Sequence, residues 1–143
     1  MGLYDTFETD ASLEETGVAI DYGDFRIRVA HSGGANKKYL AMIETKLKPL
    51  RRAMEAGSIS NERAGSIMAE IFAKSIVLDW ETLVDGEWVQ GIEDRDGNIV
   101  DFNETNVIAT FKALPRLFQD IQEQSASIQN FRKAELEEEA KNS

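Results

Sequence analysis

Residues Gly17–Ala30, GVAIDYGDFRIRVA, decide the fold class. With Gly23 and Asp24 as a two-residue turn, Tyr22 faces Phe25, Ile20 faces Ile27 and Val18 faces Val29 on one side of a β-hairpin. That side is wholly apolar. The opposite side sets Asp21 across from Arg26, a favourable cross-strand pair. A lone hairpin is marginal in water, so its apolar face has to lie on helices or on further strands.

Helical periods follow. After the glycine break in His31–Tyr39, HSGGANKKY, the residues Leu40, Ile43, Leu47, Leu50 and Met54 recur at spacings of three and four, which predicts one buried helix stripe. Pro49 lies inside that pattern and predicts a kink or two short helices, because proline removes a backbone donor and clashes with the preceding turn. Gly57 closes this element and Ser60 caps the next. From Asn61 to about Trp80, the residues Ala64, Ile67, Met68, Ile71, Phe72, Ile76 and Leu78 cover a broad face, as a central helix with neighbours on several sides would show. Two Asp-Gly pairs, at 85–86 and 96–97, mark a turn-rich excursion or small hairpin near 84–102, packed by Trp80, Trp88 and Phe102. Asp101 or Asn103 caps a last helical region, carried by Val107, Phe111, Leu114, Phe118 and Ile121 and continuing through Ile128 and Phe131, with Pro115 at a bend or fresh start.

The expected fold is therefore α+β and predominantly α, an N-terminal β-hairpin packed on a small bundle of helices. Residues 1–16 are expected to be an acidic flexible leader, 17–133 one globular domain, and 134–143 an acidic helical C-terminal stub. A chain of 143 residues is long enough for one sizeable core and short for two. With no cysteine it has no disulfide, zinc-thiolate site or thiol nucleophile, as suits a reducing cytoplasm. No apolar run reaches the roughly 18 residues of a membrane span. The opening MGLYDT fits the N-myristoylation pattern, but the first 25 residues hold seven acids and no base, which would repel anionic lipid.

Net charge is -10 and unevenly placed. Between Arg26 and Arg52 eight bases stand against the single acid Glu44, so that span is +7 and the remainder -17. A basic face meeting acidic protein segments fits better than a nucleic-acid surface, since an acidic protein is repelled by phosphate backbones and the span has little interleaved aromatic character beyond Tyr39. The candidate partner-binding face is Lys37, Lys38, Lys46, Lys48, Arg51 and Arg52.

Catalytic and metal motifs fail on their spacing. His31 beside Ser32 is a sequence neighbour, not a triad assembled by a fold. Setting Gly97 at the sixth position of a calcium loop puts Ile92 at the first ligand position and Asn103 where the bidentate glutamate belongs. The glycines of HSGGAN lack the lysine-serine or lysine-threonine pair of a phosphate loop. No catalytic residue, metal site or cofactor is expected, which leaves a protein that holds other proteins.

The order FRIRVAHSGGANKKYLAMIETKLKPLRR (25–52), VLDWETL (77–83), an Asp-Gly turn, then FNETNVIATFKALPRLFQDIQEQSASIQNFR (102–132) resembles the tail assembly chaperones of tailed bacteriophages. The resemblance implies a small acidic helical protein of the infected bacterium's cytoplasm, absent from the mature virion, that binds the tape measure protein, keeps it soluble and helps recruit tail tube protein, with self-association as a further mode. It implies neither catalysis nor membrane binding. Such chaperones are often made in two lengths by a -1 ribosomal frameshift. Ala140, Lys141 and Asn142 are the candidate junction, because GCA AAA AAC would contain the slippery heptamer A AAA AAC. A head-tail joining protein of the virion, or a small nucleic-acid-binding regulator, are the alternatives.

Overall fold

The computed structural model describes residues 2–133; the expected C-terminal stub and the Ala140–Lys141–Asn142 junction lie outside the described residues. The hairpin forms in the expected register. Strands β1 (Val18–Asp21) and β2 (Phe25–Val29) pair Val18 with Val29, Ile20 with Ile27 and Asp21 with Arg26, and Tyr22 N–H donates to the Phe25 carbonyl across the turn at 2.9 Å. The hairpin is half of a larger sheet. Strand β3 (Val77–Val84) adds to β2 and β4 (Glu87–Gln90) adds to β3, giving a four-stranded antiparallel sheet in the order β1-β2-β3-β4. The architecture is α+β and mainly helical.

Residues 76–80, expected at the end of a helix, are instead the approach to and first half of β3. The central helix, α5 (Asn61–Ser75), starts at its Ser60 cap, whose hydroxyl accepts from Arg63 N–H at 3.1 Å. It stops where the β-branched pair Ile76–Val77 loses rotamer freedom in a helix and gains packing in a sheet. Pairing decides it: Ile27 sits opposite Trp80 and Arg26 opposite Glu81.

The excursion near 84–102 holds two hairpins, β3–β4 around Asp85–Gly86 and β5 (Ile92–Glu93) with β6 (Ile99–Val100) around Asp96–Gly97. Two hydrogen bonds clip the second onto the sheet, Trp80 Nε1–H to the Val100 carbonyl at 3.1 Å and Thr82 Oγ1–H to the Gly91 carbonyl at 2.8 Å. Asp94 spends its carboxylate on the turn itself, accepting from the N–H groups of Asp96 and Asn98, each at 2.9 Å. Asn103, not Asp101, caps α6 (Glu104–Ala113). Pro115 opens a fresh helix, α7 (Pro115–Ala126), at a position where its missing N–H costs nothing. That helix ends sooner than expected; a single 3₁₀ turn, Ile128–Phe131, carries the chain to an isolated bridge between Arg132 and Thr9.

Residues 2–16, the described part of the expected acidic leader, contain local structure. They carry α1 (Leu3–Phe7) and α2 (Ala11–Thr16), and Asp10 caps α2 by accepting from Leu13 N–H at 2.8 Å. Glu14 of α2 is buried, and Asp10 N–H reaches the Phe131 carbonyl at 2.9 Å. One buried side chain and a few backbone bonds hold this acidic segment on the body.

The core lies between the inner sheet face and α5, α6 and α7. Ile27, Val29, Phe72, Ile76, Trp80, Val107, Phe111, Ile121 and Phe131 are among its buried members. Phe118 joins two helices by stacking on Phe111 at 4.7 Å while meeting Phe72 edge-on at 5.4 Å.

Candidate functional site

The expected basic face is an arm, residues 37–55, laid along α5. Its root is fixed by Asn36, which is buried, caps α3 (Lys37–Met42) by accepting from Tyr39 N–H, and donates through Nδ2 to the carbonyls of His31 at 2.8 Å and Ser75 at 3.1 Å. Beyond α3 the ladder changes pitch. Pro49 has no N–H for the Thr45 carbonyl, so the chain runs as a π-helical turn over Ile43–Leu47, a 3₁₀ turn over Lys48–Leu50, and resumes as α4 (Arg51–Glu55). The expected kink is this change of pitch.

The arm's apolar stripe is only partly covered, against the expectation of a buried one. None of residues 37–55 is fully buried. Tyr39 meets Phe72 edge-on at 6.0 Å and Ile43, Leu47 and Leu50 are half-buried, but Leu40 is 45% exposed and Met54 36%. One layer of contact with α5 is not enough to cover a stripe that winds through three helical pitches.

The six candidate cations divide into two kinds. Lys46 Nζ binds Glu70 on α5 at 2.9 Å, and Lys74 binds the same carboxylate oxygen at 3.0 Å. Hydrogen bonds from Lys46 and then Lys74 hold the Glu70 carboxyl below its usual range, outweighing its slight desolvation. Lys48 pairs with Glu44 one turn away at 3.3 Å, an exposed contact of small weight. Lys37, Lys38, Arg51 and Arg52 are exposed, and among the described residues no carboxylate stands within ion-pair distance of them. The other two bases of the +7 span belong to the outer face of the sheet: Arg26 pairs with Glu81 at 2.8 Å and lies 4.2 Å over the Trp88 ring, and Arg28 donates to the Gly17 carbonyl.

A buried polar cluster at the foot of the arm went unread in the sequence. Glu14 Oε2 lies 3.5 Å from His31 Nε2, Thr9 Oγ1–H donates to Glu14 Oε1 at 3.2 Å, and His31 Nδ1 lies 2.7 Å from the Ser125 carbonyl. Phe131 covers the imidazole, ring centres 4.7 Å apart. A signal existed for His31: it continues the period-two series Ile27, Val29 on the inward face of β2. Among the described residues no three His, Asp or Glu side chains converge as a metal ion would require, and no helix is long and apolar enough to cross a membrane.

A family model described as YdaY prophage protein matches residues 34–142, more than half of the chain. The chain belongs to the YdaY prophage protein family. It is thus phage-derived. No curated protein and no solved structure matches it. The YdaY match takes in the whole basic arm, α5, β3 to β6, α6 and α7, while the β1–β2 hairpin and Glu14 precede it.

Proposed function

We propose that this phage-derived protein is a tail assembly chaperone, which binds the tape measure protein in the host bacterial cytoplasm, keeps its long helical chain soluble and helps recruit tail tube protein around it without entering the mature virion. The observation that carries the reading is the arm: four exposed cations that lack an ion pair among the described residues, beside an apolar stripe that its own fold leaves partly uncovered. The prophage family supports the phage setting. A transient holder of amphipathic helices needs residual apolar surface for affinity and charge for fast, reversible encounter. The arm offers both, and the acidic remainder of the molecule keeps a loaded complex soluble. The reading assigns no catalytic residue, metal or cofactor, and it includes a longer frameshifted form joined at Ala140–Asn142; a gene reading GCG AAG AAC there removes the slip site.

The test is co-expression with the tape measure protein of the same phage, followed by pull-down. The native chain should retain its client in soluble form, and Arg51→Glu/Arg52→Glu should weaken retention about tenfold while the chain stays folded. Unchanged retention by the double reversal would remove the arm from the site. Recovery of the protein from purified particles would instead make it a virion component.

A further inference from the structure

An open groove of about 600 Å³ lies between the β1–β2 turn, the β5–β6 hairpin and the corner joining α6 to α7. Its floor is apolar, with Phe25, Ile92, Val100 and Leu117 lining it and Leu114 at the corner left 52% exposed. One wall is rigid. The Tyr22 ring stacks on Phe25 at 4.8 Å and its hydroxyl is tied to Asp120 of α7 at 2.5 Å. The rim is acidic: Asp24, Glu93 and Asp94 are exposed there against the one base Arg95, and among the described residues none of the three acids is in an ion pair. Apolar floor and acidic rim together fit the apolar stripe of an amphipathic helix flanked by cations.

This chain carries such a helix. The arm at 37–55 has six bases against two acids, with Leu40 and Met54 exposed on it. Within one molecule it rests on α5 through Lys46 and Glu70, and none of the groove's lining residues belongs to the arm or to α5. We propose that the groove receives the basic arm of a second copy of this chain, with Arg51 and Arg52 against the acidic rim and the uncovered stripe on Leu114 and its neighbours. Arm and groove are different patches, so the contact is heterologous; it closes into a ring or a reciprocal pair, or else propagates. The inference does not rest on the tail-assembly reading.

Sedimentation velocity on the full chain tests it, from low micromolar to about 1 mM, where interfaces of this kind are expected to populate. The native chain should associate with rising concentration, and less so in high salt. Arg51→Glu/Arg52→Glu removes the arm's charge and Leu114→Asp spoils the groove; each alone should raise the apparent Kd at least tenfold. Both sites are exposed, so the variants should fold, and circular dichroism checks that they do. Mixed together, the two variants should form a one-to-one pair, because one keeps its groove and the other its arm. A native chain that stays monomeric throughout, single variants that associate like it, or a mixture that forms no pair each overturn the proposal. The client pull-down uses a different partner, so failure here leaves the chaperone reading standing, and failure there leaves this one.

Discussion

Glu14 Oε2 and His31 Nε2 face each other at 3.5 Å inside the protein, where Glu14 is 5% exposed and His31 8%. The other ring nitrogen, Nδ1, lies 2.7 Å from the Ser125 carbonyl, which can only accept, so Nδ1 carries a proton. The pair joins three distant parts of the chain: α2, the end of β2 and the end of α7.

Glu14→Ala should destabilise the fold by about 2–4 kcal/mol, because it strands a buried imidazole and the Thr9 hydroxyl together. Urea denaturation measures the loss. Glu14→Gln keeps the shape and one acceptor, and is expected to recover roughly half of that loss. A loss below about 0.5 kcal/mol for the alanine variant would mean that the pair does not hold α2 in place.

Gly34 gives the cluster its room. It adopts φ +54, and a Cβ there would overlap the Glu14 carboxylate. Gly57 also has positive φ, +70, but nothing lies within 4 Å of where its Cβ would be. Gly34→Ala should therefore cost at least about 2 kcal/mol and Gly57→Ala about 1 kcal/mol, the second being backbone strain alone. Equal melting temperatures for the two variants would contradict the clash.

How far these features were legible in the sequence follows from the range of the interactions that make them. The β1–β2 register was readable because the turn and the alternation sit within fourteen residues, Gly17–Ala30. The end of α5 was not. Ile76 and Trp80 satisfy a helical period as well as they satisfy a strand, and the choice was made by β2, which lies far back in the chain and offers Ile27 and Arg26 as partners. The basic arm was located from its charges, but its burial was overestimated, since apolar spacing shows that a stripe exists and not that a neighbour covers it. Glu14 and the groove were invisible for a related reason. Phe25 and Leu117 meet only after the whole chain has folded, and an acidic residue in an acidic segment gives no local sign of burial.

Tyr22 and Asp120 give a prediction in alkali. Burial, then the hydrogen bond to Asp120 and its charge, push the Tyr22 phenol well above its ordinary value of 10.0. A group raised in the folded state stabilises below its unfolded pKa and loses that contribution as pH rises through and beyond it. The native protein should thus lose stability above about pH 10 by a component that Tyr22→Phe lacks. At pH 7 the variant should be less stable by about 1.5–3 kcal/mol, the net worth of a hydrogen bond to a charged acceptor. Melting temperatures of both proteins from pH 7 to 11 would test the convergence of the two curves, and parallel curves would contradict it.

Glu70 fixes the posture of the arm. Its carboxylate accepts from Lys46 on the arm at 2.9 Å and from Lys74 one turn along α5 at 3.0 Å, so only the first contact crosses between elements. The Glu70 side chain is 35% exposed, and an ion pair this open is worth about 0.3–1 kcal/mol. Glu70→Gln should therefore leave global stability almost unchanged while raising amide exchange in residues 37–55 by a few-fold, since the rest of the arm's grip on α5 is half-buried apolar contact. The pH dependence has the opposite sign to that of Tyr22. A carboxyl depressed in the folded state stabilises above its unfolded value, here 4.5, and loses that contribution as pH falls through its folded pKa. Exchange in the native arm, corrected for intrinsic rates, should accordingly rise below about pH 4.5 toward the level of the Gln variant, which should itself show no such step. An arm equally protected in both proteins at neutral pH would show that Lys46–Glu70 contributes nothing to its placement, and that apolar contact with α5 alone sets how readily Arg51 and Arg52 are presented.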